Sequence, residues 1–407
     1  MTTATAPVTK PPLGKVLMRR TMITALILVL ILVPSIGMFA LTKQPSGTYA
    51  AMGALIGIFA TISGGTRMGV ITAIVVALLA PMAIVSGLSP VTAAALMALM
   101  TLTVGRLSIF GLHRATMLVP IFLAWLILSP VPWIPSGGVD RINELVSKSG
   151  LSLNQAIDSL QSGGGGSASS SVSTKVTNAL IEQRFDSTYL AWIAAFFFVG
   201  AILPVIVLHF ATRKIEFPKP VRHSRSEAVP YTIAITLLTA GATYYFIDHP
   251  KQIGGAFMIA AILVLLQVGN DIAWKLTIER VLGTFAGLGV LIGLMALIGH
   301  TAYTEVWGIP IPLSYYAIGL AFGAASIISK FSPRLWIYYV LITPAAALLN
   351  AYTTSQASDF GKQRAVDNAV GAALVLIAAG FTLVASRFMD KHVPADSSVD
   401  ESIPSPA

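Results

Sequence analysis

The chain has 407 residues, of which 55% are hydrophobic and only 11% charged, and it contains no cysteine. Soluble domains carry about 25% charged residues, so a cytosolic enzyme, a secreted disulfide scaffold and a disordered protein are all excluded by this balance. The formal charge of +9 does not indicate nucleic acid, because the basic residues sit in short loops beside long apolar runs rather than on a solvated patch. Without cysteine there is no thiolate metal site and no redox motif, and no metal or other cofactor is expected. The composition specifies an all-α polytopic membrane protein.

A helix needs roughly 20 apolar residues to cross the hydrocarbon core, and charged residues mark where such runs end. In chain order, uncharged runs lie at 21–42, 44–66, 68–105, 115–139 and 187–212. The turn signal Gly87-Leu88-Ser89-Pro90 splits the third of these, so the first half is expected to hold six spans. Uncharged runs at 228–247, 252–270, 281–304, 306–329, 335–358 and 368–386 supply six more. Arg19-Arg20 before the first run resembles the start of a signal peptide. That run is longer than a typical h-region, however, and no small-x-small cleavage site follows, so it is read as a retained helix.

Orientation follows from the lysine and arginine asymmetry of the loops. With the N-terminus inside and the chain alternating across the bilayer, 18 basic residues fall on the cytoplasmic side and 8 on the outer side. Both termini are therefore expected in the cytoplasm, with the protein in the plasma (inner) membrane. Tyr189, Trp192, Tyr244, Tyr245, Trp336 and Tyr352 stand at span ends, as interfacial belts require.

A cytoplasmic tail at 1–20 leads into a first six-helix half at 21–211. A polar linker at 212–228, carrying Pro218 and Pro220, precedes a second half at 229–388 and a disordered polar tail at 389–407. The halves echo one another. Gln44-Pro45-Ser46-Gly47 opens a span as His249-Pro250-Lys251 does, and Arg67 stands in the first half where Arg280 stands in the second. Six spans per half keep both in the same orientation, which predicts a parallel repeat. The long outer insert at 135–188 has apolar residues at helical spacing over 139–160, then Gly163 to Gly166 and a serine-rich run. It is read as a disordered tether with marginal helices, with a lid over an outer vestibule as the alternative.

Small-xxx-small pairs recur at Gly53/Gly57, Gly65/Gly69, Gly283/Gly287, Gly289/Gly293 and Gly319/Gly323, and imply close helix packing in lipid. Basic residues carry more functional information, since a charge in the bilayer centre costs at least about 2.5–3.5 kcal/mol. Arg280 stands three residues before Gly283-Thr284, Arg364 precedes Asp367-Asn368, and Arg67 follows Gly64-Gly65-Thr66.

The series Arg-x-x-Gly-Thr-x-x-Gly at 280–287, Ser332-Pro333-Arg334, Thr343-Pro344-Ala345-Ala346 and Arg364 with Asn368 and Gly371 resembles the fusaric acid resistance family of aromatic acid exporters. The likeness covers about 229–388, and the first half matches loosely. Many relatives carry a cytoplasmic domain after each six-helix unit; the loop after the first half and the tail are both short in this sequence, so no such domain is expected in either place.

The resemblance implies export of a small organic anion through a lipid-embedded bundle. Arg280, Gly283, Thr284, Arg364, Asn368 and Arg67 would bind the substrate. An arginine fork suits a carboxylate, and a helix N-terminus adds partial positive charge. The topology sets Arg280 at the cytoplasmic mouth and Arg364 at the outer mouth, as entry and exit sites. Asp271, Glu279 and Asp367 are candidates for proton coupling, although Asp271, Lys275, Glu279 and Arg280 could instead pair along one helical face.

Direct ATP hydrolysis is not expected, because no Gly-x-x-x-x-Gly-Lys-Ser/Thr loop occurs. A passive organic-anion channel and a non-transporting envelope scaffold remain as alternatives. A lipid-linked glycosyltransferase is disfavoured because the first outer loop, Leu41 to Gly47, has no acidic residue.

Overall fold

The computed structural model describes residues 13–42, 44–128, 184–211, 220–249, 255–268, 273–298, 304–306, 309–311, 313–329, 335–349 and 354–392. Most of the outer insert and both extreme tails lie outside the described residues, among them the bulk of the tether at 135–188 and the tail beyond 392; the disorder expected from 389 is corrected for 389–392, which continue the last helix to His392. In the first half α1 (Leu13–Thr42), α2 (Tyr49–Ser86), α3 (Pro90–Leu107), α4 (His113–Thr116), α5 (Leu118–Leu128) and α6 (Ser187–Ala211) follow in order. The second half holds α7 (Arg225–Asp248), α8 (Gly255–Leu265), α9 (Ala273–Ile298), α10 (Leu313–Ser329), α11 (Leu335–Leu349) and α12 (Thr354–His392). Among the described residues six helical segments are long and apolar enough to cross a membrane: Ala25–Thr42, Ser46–Ser86, Pro90–Phe110, Ser187–Ala211, Trp274–Ile298 and Ala357–Asp390. The apolar helices at His113–Leu128, Gly255–Leu265, Ala317–Ser326 and Leu335–Leu348 are shorter.

The 38 residues of α2 would form a rod of about 57 Å if straight, nearly twice the hydrocarbon thickness. They do not run straight. Gly65 has φ 80° and ψ 173°, a conformation open essentially only to glycine, and the chain folds back there into two antiparallel arms. A Cβ placed on Gly69, four residues past the reversal, would strike Thr61 Oγ1, four residues before it. Both arms pack on α6. Gly53 abuts the Phe197 carbonyl, Gly57 that of Ala201, and Gly200 that of Ala50, so the first arm runs parallel to α6. The second arm returns past Val205 at Gly69 and ends where Arg184 donates from Nη1 to the Ile84 carbonyl at 3.3 Å.

The remaining boundaries follow local chemistry. Gly87 closes α2 by donating its N–H to Ala83 O, and extended Ser89 with Pro90 at the first turn starts α3, as the turn signal predicted. Gly111, at φ 75°, turns the chain toward α4. Ser224 caps α7 by accepting from the Glu227 N–H at 3.3 Å, in the Ser-x-x-Glu spacing of a capping box.

Several expected spans are corrected. Among the described residues of the run at 252–270, eleven are helical, those of α8, about 16 Å long, and 266–268 are not. The run at 281–304 ends as helix at Ile298. A two-stranded antiparallel hairpin, β1 (Thr304–Val306) with β2 (Ile309–Ile311), intervenes before α10, pairing Thr304 with Ile311. The run at 335–358 holds α11 to Leu349 and α12 from Thr354, with 350–353 outside the described residues. Uncharged windows mark where charges stop, not where helices start.

The core is continuous across both halves. Tyr49, Ile84, Met97, Leu123, Phe196 and Phe197 of the first half share one buried cluster with Tyr231, Ile262, Leu266 and Val375 of the second. The helix α3 packs along α7, with Thr232 filling the space beside Gly105 and Thr239 Oγ1 donating to Thr101 Oγ1 at 3.2 Å. The last helix of each half packs on several others: α6 lies against α1 and both arms of α2, and α12 lies against α7, α8, α9 and α11.

Candidate functional site

The site forms where α9, α11 and α12 meet. Gly283 and Gly287 on α9 let the α11 backbone approach, the first abutting the Trp336 carbonyl and Tyr339 Cβ, the second the Val340 carbonyl and Thr343. This close crossing carries Tyr339 beside Arg280, whose guanidinium carbon lies 5.5 Å from the ring centroid. Thr343 Oγ1 donates to the Tyr339 carbonyl at 2.8 Å, fixing that turn of α11 just before Pro344. Tyr338 and Tyr339 meet edge to face at 5.2 Å.

The helix α12 contributes the polar centre. Arg280 is 7% exposed, and its Nε donates to Asn368 Oδ1 at 2.8 Å. The Asn368 amide nitrogen in turn donates to the Arg364 carbonyl one turn back, also at 2.8 Å. Arg364 lies with its guanidinium carbon 4.8 Å from the centroid of Phe257 on α8, and its Nε is buried without a hydrogen-bond partner. Through Asn368, which bonds Arg280 and the Arg364 carbonyl, the two cations share one part of the interior. Among the described residues neither forms an ion pair with a carboxylate.

An aromatic chain links this centre to the first half. Phe257 packs edge to face with Phe360 of α12 at 6.1 Å and with Trp125 of α5 at 5.0 Å. Phe257, Trp125, Tyr338 and Tyr339 were not singled out from the sequence, where they read as ordinary apolar or interfacial aromatics. The run Trp336-Ile337-Tyr338-Tyr339, two residues after Arg334, was the available signal.

The structure separates some expected partners and joins others. Arg280, Thr284 and Asn368 are buried, with Thr284 at 1% and Asn368 at 1% exposure, and Gly283 sits at the helix crossing. Arg67 is exposed just past the Gly65 reversal, on a helix that packs against α1, α3, α5 and α6 rather than α9 or α12. It does not join the cluster. The placement of Arg280 and Arg364 at opposite mouths is corrected. Because α9 begins at Ala273 and α12 at Thr354, each arginine lies two to three turns inside its helix. The helices run antiparallel, Gly361 meeting Leu288 and Leu291 as Asn368 meets Arg280, so the two cations converge.

Of the acidic candidates, Asp367 is 4% exposed. Its Oδ1 accepts from Gln363 Nε2 at 2.9 Å, whereas Oδ2 has no partner. Glu279 is half-buried, and Asp271 lies outside the described residues. Arg280 takes Asn368 and Tyr339 as partners in place of the acidic neighbours on its own helix. No group of three or more metal-ligating side chains occurs among the described residues.

These features define a multi-pass helical membrane protein with a cationic centre inside its second half. Residues 239–378 match the family model described as fusaric acid resistance protein-like, so the resemblance read from the motif series holds over this segment, which contains every residue of the cluster. Neither a curated protein nor a solved structure matches the chain.

Proposed function

We propose that the protein is a secondary transporter, not an enzyme, that exports small organic acids, aromatic ones among them, across the plasma membrane with both termini in the cytoplasm. The observation that carries this reading is the pair of interior arginines without a carboxylate partner among the described residues. A charge buried in lipid surroundings is tolerated when something pairs with it, and a mobile anion serves that role transiently. Arg280 and Arg364 would engage substrate carboxylate through their planar N–H forks. Asn368 holds Arg280 in place, and the rings of Tyr339 and Phe257 cover guanidinium faces.

Asp367 is our proposed proton site. A carboxyl with one oxygen unpartnered takes and releases a proton without breaking an ion pair, and Asp367 follows Arg364 by less than one turn on α12. Twelve membrane segments in two parallel repeats are also part of the proposal. The Gly65 reversal, which divides α2 into two arms, and the packing of α6 and α12 on several other helices of their own halves support it.

The test is efflux of radiolabelled aromatic carboxylates from proteoliposomes holding the full chain, compared with Arg280→Gln and Arg364→Gln at matched incorporation. Either substitution should lower efflux about tenfold or more, the scale of one lost charge-assisted pair. Unchanged efflux in both variants overturns the site. Ohmic current in a planar bilayer, with no response to an imposed proton gradient, would replace the exporter with a channel.

A further inference from the structure

The cluster holds two guanidinium groups and no compensating carboxylate among the described residues, and this count bears on substrate charge. Arg280 Nε is already committed to Asn368, and Arg364 Nε is buried without a partner. Phe257 lies against the Arg364 guanidinium, a contact that leaves its in-plane N–H groups as bonding positions, and Arg280, which also bonds Tyr339, keeps further donors among its five N–H groups. Asp367 cannot serve as the missing counter-charge in this arrangement. It bonds Gln363 and forms no ion pair with either arginine. A single carboxylate would satisfy one fork and leave the second cation unpaired beside it, linked through the same Asn368.

We propose that the site selects organic acids carrying two carboxylates over monocarboxylates built on the same ring. Each carboxylate takes one arginine, and both buried cations are paired only when the anion carries two. This assignment rests on reading the cluster as the anion site, and it adds the charge that the anion carries. No covalent step is involved.

Purified full-length protein in proteoliposomes is assayed for counterflow of radiolabelled benzoate and of radiolabelled isophthalate, at a pH where every carboxyl is ionised. Isophthalate should compete for the site about tenfold more strongly than benzoate, the effect of one added charge-assisted pair. In Arg364→Gln that ratio should fall toward unity, and Arg364→Lys, which keeps the charge, should restore part of it. If wild-type protein handles both acids with equal potency, the dicarboxylate preference is overturned while the anion-site reading stands. If neither acid moves or competes, the anion-site reading fails and this assignment fails with it. If the ratio is large but unchanged in Arg364→Gln, the preference arises elsewhere and the pairing of two carboxylates with two arginines is overturned.

Discussion

Arg280 and Asn368, separated by 88 residues in the chain, meet in the protein interior through an Nε to Oδ1 hydrogen bond of 2.8 Å. The same asparagine bonds the Arg364 carbonyl, so one amide orients one arginine and anchors itself to the helix turn that bears the other. Asn368→Ala would leave a buried charged donor unpaired, at about 1–3 kcal/mol. A drop of several degrees in the detergent melting temperature, together with reduced efflux, is the expected outcome. Asn368→Asp should recover much of the thermal stability and still impair efflux, because an added negative charge competes with the substrate anion.

The reversal at Gly65 is open to a direct chemical check, since the natural chain has no cysteine to interfere. Thr61→Cys with Gly69→Cys should form an intramolecular disulfide under mild oxidation, seen as a mobility shift that a reductant removes. A straight helix would hold these positions about 12 Å apart along its axis, and no crosslink would form. Gly65→Ala should cost about 1–3 kcal/mol through its strained backbone and lower the yield of folded protein.

Phe257 is expected to tune the site through Arg364 rather than to bind substrate by polar contact. Phe257→Leu removes a cation–π contact worth about 0.5–2 kcal/mol. The apparent KM should rise a few fold, with smaller loss of maximal rate, and Phe257→Tyr should stay near wild type. Equal kinetics in all three proteins would show that the ring serves only packing against Trp125.

Asp367→Asn separates coupling from binding. Efflux driven by an outside-acid gradient should lose its acceleration, while substrate exchange at equal pH on both sides continues. Acceleration that survives the substitution would assign the proton elsewhere, with Asp271 and Glu279 the next positions to test.

Arg184 closes the second arm of α2 through the Ile84 carbonyl, beside Gly87. Arg184→Ala should destabilise the protein by about 1–2 kcal/mol and leave the dicarboxylate-to-monocarboxylate ratio unaltered.

The sequence disclosed the membrane class, the turn at Gly87–Pro90 and the polar residues of the cluster, because each has a local signature. Arg280, Thr284, Arg364 and Asn368 stood out as charged or polar groups against apolar surroundings, and their motif spacing is a property of the chain itself. Their convergence was not legible. Charge gaps suggested that both arginines end helices, whereas α9 and α12 extend past them by two to three turns with further polar residues on board. The aromatic link through Phe257 was hidden for another reason. An aromatic ring on an eleven-residue apolar helix looks the same whether it faces lipid or a guanidinium, and only the packing of α5, α8 and α12 distinguishes the two. Arg67 failed in the opposite direction: a glycine-flanked arginine matched the pattern, but the glycine there makes a reversal.

The long separation between Arg280 and its amide partner also bears on biogenesis. Ribosomes add roughly 5–20 residues per second, so the nascent chain carries Arg280 for about 4–18 s before Asn368 is made. Over that interval the guanidinium must be held by water, by lipid phosphates or by the insertion machinery. Helix α9 therefore gains its amide partner only as the last helix is made, and truncations ahead of residue 368 should leave it exposed to membrane quality-control proteases.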